Sequence, residues 1–217
     1  AAFCTHGGRT SCIRLRKKES GAGKGRRLSL AQHGQLSMRI TGGVLKGRQI
    51  KCPKGIIRPA MDKMRESVFA ILGDLGGKSF LDLFSGSGTI AIEAASRGAA
   101  HVELCEKDKI KIPVILENVA LTERELGITV KCHFMPVEYF IKRCKTSFDY
   151  IFFDPPFPYK FHAELIKNAA EKGMCKSGGT IIVHRPEEHE MLDAIGNLSR
   201  TDMRAYGRSI VDFYSFR

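Results

Sequence analysis

Apolar and polar positions along the chain predict strands and helices in alternation. Short apolar runs bounded by turn residues predict strands, and the longer stretches between them have helical spacing. The predicted strands lie at residues 79–84, 101–105, 128–134, 150–153, 180–184, 201–205 and 209–216. The predicted helices lie near residues 89–97, 108–121, 136–144, 161–172 and 187–196. This alternation predicts an α/β fold in which helices wrap a mostly parallel, seven-stranded sheet.

Each end of this pattern adds an antiparallel pair. Residues 38–43 and 47–52 have the composition of two short strands and predict a small N-terminal β-hairpin. Asp62 then precedes an amphipathic run and is a candidate N-cap for a further helix. The last two predicted strands meet at Tyr206-Gly207 and form a C-terminal antiparallel hairpin.

The first 37 residues differ from the rest of the chain. They are rich in Gly, Ser, Lys and Arg and lack apolar periodicity, which predicts a disordered basic extension. Three interpretations compete: a basic arm that touches nucleic acid, a targeting segment, or sequence upstream of a start at Met38. We favour the third, because recognisable structure begins at Met38. One folded domain is predicted at residues 38–217, in which residues 38–60 form the hairpin and a linker.

The charge and the cysteines narrow the function classes. A formal net charge of +12 favours a polyanionic partner such as nucleic acid, although solubility alone would also explain it. No apolar run approaches the roughly 18 residues of a membrane helix. The seven cysteines include no C-x-x-C pair, and the seven histidines form no H-E-x-x-H pattern. Neither disulfides nor a metal site is therefore expected, and a cytoplasmic protein is predicted, or an organellar one if residues 1–37 are a targeting segment.

A glycine loop follows the first predicted strand of the sheet. The sequence Asp82-Leu-Phe-Ser-Gly-Ser-Gly-Thr89 places Gly86 and Gly88 where a tight turn leads into a helix. Glu106 ends the next strand, twenty residues after Gly86, where a carboxylate can accept hydrogen bonds from both ribose hydroxyls of an adenosine. These features predict a nucleotide-like cofactor at this edge of the sheet.

The loop alone leaves two cofactors open. Residues 86–91 also satisfy the G-x-G-x-x-A pattern of dinucleotide-binding proteins. However, Asp82 comes before the glycines, where a carboxylate would repel a pyrophosphate. S-adenosylmethionine has no phosphate and carries an amino group that a carboxylate attracts, so it is the preferred cofactor.

A second motif points to the chemistry. The predicted strand at 150–153 runs into Asp154-Pro155-Pro156-Phe157. One proline would suffice to end a strand, so two prolines and an aromatic residue call for another explanation. Asp154 and the Pro155 carbonyl can accept the two hydrogens of an exocyclic base amine, and Phe157 can stack on the base. The motif predicts methyl transfer to such an amine without a metal, with Asp154 or water as proton acceptor.

From Met38 to its end the chain resembles the RsmD-type guanine-N2 methyltransferases of bacterial small-subunit ribosomal RNA. The resemblance rests on the opening hairpin, the Arg-Pro segment, the cofactor loop, Glu106 and the Asp-Pro-Pro-Phe motif. The residues of the hairpin and Arg-Pro segment that carry it are Arg39, Ile40, Gly42, Gly43, Lys46, Gly47, Arg48, Arg58, Pro59, Asp62, Arg65 and Glu66. It implies a Rossmann-like fold and S-adenosylmethionine as cofactor. The implied partner is ribosomal RNA or the small ribosomal subunit. The protein itself is expected to be a monomer that does not associate with a membrane.

The resemblance also implies roles for individual residues. Those at the methionine and ribose ends of the cofactor would be Asp82, Phe84, Ser85, Gly86, Gly88 and Glu106, and those of the base pocket Asp154, Pro155, Pro156 and Phe157. Lys46 and Arg48 would approach RNA phosphates, while Arg58 and Arg65 would belong to a segment that closes over the substrate. Two positions depart from the family pattern. Ala60 stands where Thr is usual, and residues 134–136 lack the polar side chain that often reaches the adenine.

Three alternatives remain. An adenine-N6 methyltransferase would share the Asp154 chemistry, but such enzymes usually carry a separate target-reading domain. A nicotinamide-dependent oxidoreductase would leave the Asp-Pro-Pro-Phe motif unexplained. A non-catalytic ribosome-assembly factor would not need an intact Asp154. His184, which ends the fifth predicted strand, is interpreted as a satisfied polar group rather than a base.

Overall fold

The computed structural model describes residues 37–52, 60–157 and 159–217 of the chain. Its elements follow the predicted order except near residues 187–196. In chain order they are β1 (Ser37–Arg39), β2 (Gln49–Lys51), α1 (Ala60–Leu72), β3 (Ser79–Leu83), α2 (Thr89–Ser96), β4 (His101–Cys105), α3 (Ile112–Leu126), β5 (Val130–His133), α4 (Val137–Arg143), β6 (Phe148–Phe153), α5 (His162–Glu171), β7 (Cys175–Pro186), β8 (Ala194–Ile195), β9 (Leu198–Tyr206) and β10 (Ser209–Phe216).

A single large sheet forms the centre of the fold, with the strand order β5-β4-β3-β6-β7-β10-β9-β8. The neighbours from β5 through β7 pair in parallel, and β10 lies antiparallel between β7 and β9. The predicted Rossmann-like arrangement with its C-terminal antiparallel hairpin is confirmed. The two-residue strand β8 adds an eighth, unpredicted strand at the edge of this sheet.

Two apolar layers cover the sheet because successive side chains of a strand point to opposite faces. On β3, Phe80 packs into the cluster that contains residues of α1, α2 and α3, whereas Leu81 packs into the cluster that contains residues of α4 and α5. All five side chains of β3 are buried, as expected for a central parallel strand with helices on both faces. Asp82 shares the face of Phe80, so its carboxylate lies on a buried side of the sheet.

The helix predicted at 187–196 is wrong. This segment forms turns and β8 instead. The Arg185 guanidinium donates to the carbonyl of His189 at 2.6 Å, and the Tyr214 hydroxyl donates to the carbonyl of Leu192 at 2.7 Å. A helix would need both carbonyls for its own hydrogen bonds. The side chains that donate hydrogen bonds to these carbonyls come from β7 and β10. The apolar pattern within the segment therefore contained no sign of these hydrogen bonds.

The predicted N-terminal hairpin is present and is held on α2. Met38 pairs with Ile50 across β1 and β2, and Ile50 packs against Ile92 of α2. Gly43 has a φ of 76°, and a Cβ at this position would lie 1.9 Å from the carbonyl oxygen of Ser96. Only glycine allows the hairpin to approach the end of α2 this closely.

Part of the predicted organisation falls outside the described residues. The predicted basic extension, except for Ser37, lies outside the described residues. The boundary of the folded domain at residue 38 therefore remains a prediction. The described part of the chain contains no helix that is both long and apolar enough to cross a membrane.

The sheet topology identifies where a ligand should bind. From β3 the chain moves outward to β4 and β5, and then returns to place β6 on the other side of β3. The connections therefore leave β3 and β6 in opposite directions and open a crevice at their carboxyl ends. Open α/β sheets bind ligands at this kind of switch point.

Candidate active site

A cavity of about 1100 Å³ lies at this switch point. Phe84 and Gly86 line it from the loop after β3, and Glu106 lines it from the end of β4. Residues 154–157, directly after β6, line it as well. The predicted cofactor loop and the predicted base pocket therefore open into the same cavity, because the strands that carry them are neighbours in a parallel sheet.

The loop after β3 has an unusual backbone. Phe84 has a φ of 64°, in the left-handed region that a bulky side chain rarely adopts, and Gly86 and Gly88 have φ of 62° and 82°. The neighbouring strands hold this conformation, since Ser85 N–H donates to the Cys105 carbonyl at 3.0 Å. Strained backbone of this kind occurs at ligand-binding sites, where surrounding structure enforces it.

Asp82 is buried at the base of this loop. One carboxylate oxygen, Oδ2, accepts hydrogen bonds from the Ser85 hydroxyl at 2.7 Å and from Ala91 N–H at 3.2 Å. The other oxygen, Oδ1, has no hydrogen-bond partner among the described residues. Burial raises the pKa of Asp82 from 3.8 to about 7. A buried carboxylate with one free oxygen is suited to a bound donor or cation.

Replacing Asp82 should change how stability depends on pH. Because the folded-state pKa lies above the unfolded value, Asp82 favours folding below about pH 4 and loses this contribution as the pH rises to about 7. The Asp82→Asn variant should match the wild type near pH 4 and be more stable at pH 8, by on the order of 3 kcal/mol. Urea unfolding of the ligand-free proteins across this range measures the difference. Asp108→Asn, at a partly exposed carboxylate, is the control, and equal profiles for all three proteins would contradict the prediction.

The carboxylate of Glu106 is buried and organises the cavity wall. Its Oε2 accepts from Gly86 N–H at 2.8 Å, and its Oε1 accepts from the N–H groups of Lys107 and Asp108, each at 2.9 Å. Lys111 Nζ lies 3.4 Å from Oε2. Glu106 therefore connects the glycine loop to the start of the next helix, and a ribose would share this carboxylate with the backbone.

The Asp-Pro-Pro-Phe motif leaves β6 at the opposite side of the cavity. Asp154 N–H donates to the Leu83 carbonyl at 3.2 Å, which ties the motif to the end of β3. Pro155 is buried, Pro156 is exposed and Phe157 is partly buried. Since proline fixes φ, the two prolines hold the acid and the aromatic ring apart in a rigid turn.

The imidazole ring of a histidine side chain is hydrogen-bonded to Asp154. Nδ1 of His184, at the end of β7, lies 2.6 Å from Asp154 Oδ1. The Phe157 ring packs edge-on against the same imidazole, with ring centroids 5.7 Å apart. His184 is thus only half satisfied, contrary to the sequence interpretation: Nδ1 is paired with the predicted catalytic carboxylate, whereas Nε2 is buried without a partner among the described residues. The only sequence signal was a polar residue directly after an apolar strand.

The structure also brings residues to the cavity that no motif identified. Phe134, Met135 and Pro136 form part of the wall next to β5. Lys107 and Lys109 lie at the opening. No motif identified these lysines, because nothing in their spacing relates them to a site on neighbouring strands.

Arg65, predicted to close over the substrate, is buried on the far side of α1. Its guanidinium donates to the Arg39 carbonyl at 2.5 Å and to Asp62 at 2.9 Å, and its Nε lies 3.3 Å from Glu93 Oε2. These bonds connect the N-terminal hairpin to α1 and α2. In this arrangement Arg65 supports the hairpin and does not face the cavity.

The remaining predicted RNA contacts lie away from the cavity. Lys46 and Arg48 are exposed on the N-terminal hairpin, and Arg48 forms a surface ion pair with Glu125. Arg58 lies outside the described residues. No group of three or more His, Cys, Asp or Glu side chains within residues 37–52, 60–157 and 159–217 is arranged to hold a metal ion.

Comparison with known proteins identifies the family. The family model described as Conserved hypothetical protein 95 matches residues 38–215. The chain belongs to this family. Over 186 residues it is 33% identical to the Bacillus subtilis protein "Putative rRNA methyltransferase YlbH", covering 83% of this chain and 100% of that protein. The RsmD-type resemblance seen in the motifs is confirmed.

Two Escherichia coli comparisons agree with this assignment. The protein named Ribosomal RNA small subunit methyltransferase D is 29% identical over 168 residues, covering 76% of this chain and 83% of that protein. The solved structure titled "Putative methyltransferase yhhF" superimposes with a TM-score of 0.75 at 25% identity, covering 83% of this chain and 98% of that chain. The similarity thus extends over most of the length of each of these two relatives.

Proposed function

We propose that this protein transfers a methyl group from S-adenosylmethionine to the exocyclic N2 amine of a guanine in small-subunit ribosomal RNA. The observation that carries the proposal is the single cavity into which the cofactor loop and the Asp-Pro-Pro-Phe motif both open. Family membership supports methyl transfer, and the names of the relatives support ribosomal RNA as substrate.

The cavity and the buried acid beneath its glycine loop fit the cofactor. The methionine amino group of S-adenosylmethionine is a cationic donor, and Oδ1 of Asp82, at the base of the loop, is a buried acceptor that lacks a donor. Glu106 and the apolar wall at residues 134–136 suit a ribose and an adenine. When bound, S-adenosylmethionine supplies a methyl group activated by its sulfonium charge.

The protein's own part is to position the amine and receive its proton. A base amine is a weak nucleophile, because its lone pair is delocalised into the ring. Asp154 and the Pro155 carbonyl accept the two amine hydrogens, and Phe157 stacks on a base that has left its helix. The new N–C bond replaces the bond between the methyl group and sulfur, and the amine nitrogen loses one proton to Asp154 or water. The rigid turn reduces the ordering that the substrate must undergo.

The second candidate is methylation of adenine N6, which the Asp154 geometry would serve equally well. Guanine N2 is preferred because the chain resembles the RsmD-type enzymes from the hairpin onward. The hairpin packs on α2. It does not belong to the motifs that many amino-methyltransferases share. A nicotinamide cofactor has only the G-x-G-x-x-A pattern of residues 86–91 in its favour, and a non-catalytic role has no observation of its own.

The proposed function is tested by offering labelled S-adenosylmethionine with small ribosomal subunits, bare ribosomal RNA and duplex DNA. Products are digested to nucleosides and separated. Label in N2-methylguanosine of ribosomal RNA supports the proposal, and label in N6-methyladenine supports the second candidate. If the protein binds the cofactor but labels none of these substrates, the proposed activity is wrong. Absence of cofactor binding would contradict the cofactor assignment itself.

The hairpin cations provide a prediction about RNA affinity. The double variant Lys46→Ala/Arg48→Ala should bind RNA more weakly and leave cofactor affinity unchanged, because both side chains are exposed and lie outside the cavity. Loss of two phosphate contacts should reduce the slope of log affinity against log salt by about 2. Fluorescence anisotropy at several salt concentrations measures the slope.

The matched control removes two cations from α5 and its end, Lys167→Ala/Lys172→Ala. Lys167 is also ion-paired, with Glu171, so both double variants disrupt one surface pair. If the hairpin variant and the wild type bind RNA with equal affinity at low salt, RNA binds at another part of the protein. Equal weakening by both variants would indicate a general charge effect.

A further inference from the structure

His184 and Asp154 are paired by the register of the sheet. Phe153 of β6 lies beside Val183 of β7 in a parallel pair, so Asp154, directly after β6, meets His184, which lies within β7 near its carboxyl end. The side chain of His184 is 5% exposed and that of Asp154 is 24% exposed. His184 Nδ1 lies 2.6 Å from Asp154 Oδ1. Both residues line the cavity.

The pairing selects one form of the imidazole. An ionised carboxylate only accepts hydrogen bonds, so the Nδ1 that faces Asp154 must carry the hydrogen. The other nitrogen, Nε2, is buried and has no hydrogen-bond partner among the described residues. A proton on Nε2 would leave a buried N–H donor unpaired, which is costly. The neutral tautomer with hydrogen on Nδ1 satisfies the pair best.

Charged and titratable groups of several elements surround the pair. His162, on α5, is close enough to interact electrostatically with His184, and its ring lies tilted against that of His189, with ring centroids 4.3 Å apart. Burial is the main cause that lowers the pKa of His162 to about 4, and the neighbouring cation Arg185 acts in the same direction. From near the ends of β3 and β4, Asp82 interacts electrostatically with Asp154, and Glu106 lines the same cavity as the pair.

We propose that His184 is a positioning residue for methyl transfer, and that its Nδ1–H holds Oδ1 of Asp154 so that Oδ2 is free to accept the amine hydrogen of the base. The edge-on contact with Phe157 extends the same support to the stacking ring. His184 therefore orients both side chains of the base pocket. This inference rests on the proposed function of Asp154.

Three variants separate positioning from simple packing. His184→Phe keeps an aromatic ring and removes the donor, while His184→Asn keeps an N–H near the place of Nδ1. His101→Phe is the matched control, since it breaks a 2.8 Å bond to the Glu103 carboxylate at the start of β4, the opposite end of the sheet. We expect kcat to fall about tenfold to a hundredfold in His184→Phe. His184→Asn should retain most of the activity, and His101→Phe all of it.

The pH profile gives a readout that packing alone would not change. A carboxylate that has lost its donor is protonated more easily, so the acidic limb of kcat should move to higher pH in His184→Phe. The limb should stay in place in His184→Asn and in His101→Phe, and the KM for S-adenosylmethionine should be unchanged throughout. Wild-type kcat and an unmoved acidic limb in His184→Phe would overturn the proposal.

The tautomer can be measured without any methyl transfer. Two-bond nitrogen–proton correlation spectra of the ¹⁵N-labelled protein distinguish Nδ1–H from Nε2–H, and His184→Asn assigns the signal. We expect His184 in the Nδ1–H form at neutral pH, and a changed signal in Asp154→Asn. An Nε2–H form overturns the pairing. A wild type with the expected tautomer that methylates no substrate would instead show that the proposed function fails while the pair exists.

Discussion

Asp154→Asn should lower the rate of methyl transfer by about a hundredfold to ten-thousandfold. The amide has the shape of the carboxylate, so the cavity keeps its form, but its NH₂ group cannot accept an amine hydrogen or take up a proton. It also presents no anion to His184 Nδ1, 2.6 Å away. Single-turnover rates with saturating RNA measure the loss, and calorimetry should show unchanged affinity for S-adenosylmethionine.

Asp149→Asn is the matched control for this variant. Asp149 lies at the other end of the same strand, where it binds Lys176 at 2.8 Å and where hydrogen bonds from Lys176 and Ser79 outweigh burial and lower its pKa to about 2. Its replacement should reduce stability slightly and leave the rate intact. A rate for Asp154→Asn close to that of the wild type would remove Asp154 from the proposed chemistry.

Glu93→Ala should lower the free energy of unfolding by about 3–5 kcal/mol. Glu93 is fully buried on α2, where it pairs with Arg65 at 3.3 Å and with Arg97 at 2.9 Å. It also accepts from Thr41 N–H at 2.8 Å and from the Thr41 hydroxyl at 2.7 Å. Its removal leaves the buried Arg65 guanidinium without its buried counter-charge, since its other partner, Asp62, is about half exposed. Urea unfolding followed by far-ultraviolet circular dichroism measures the change, since the chain has no Trp.

Glu117→Ala provides the comparison for a carboxylate of the same kind at the surface. Its ion pair with Lys51 is about half exposed, so its loss should cost about 1 kcal/mol or less. If Glu93→Ala costs no more than Glu117→Ala, the buried network is not what holds the hairpin on α2.

The buried network explains why the hairpin is part of the folded domain. The hairpin contributes only a small apolar cluster, centred on Ile40, Leu45 and Ile50. Polar contacts complete its attachment, including Asn118, whose side chain binds both backbone groups of Lys51 and the Ser87 carbonyl. Because Ser87 belongs to the cofactor loop, hairpin and loop are held by the same side chain.

The sequence by itself determined the order of the strands and helices and the edge of the sheet that carries the site. Period-two and period-3.6 apolar patterns are local, so β3 to β7 and their helices could be predicted from them. The motif residues Glu106 and Asp154 each follow a predicted strand, and Asp82 lies near the end of another. Parallel strands bring their carboxyl ends to one edge, so the three carboxylates were expected to meet there.

Only the tertiary structure decided which side chains become partners across that edge. The pairing of His184 with Asp154 depends on the register between β6 and β7, and the burial of Arg65 depends on how α1 packs against Glu93. The irregular segment after β7 depends in part on Tyr214 of β10, which lies 22 residues from its partner Leu192. Each of these contacts joins residues that are distant in sequence, and no local pattern encodes the distance between them in space.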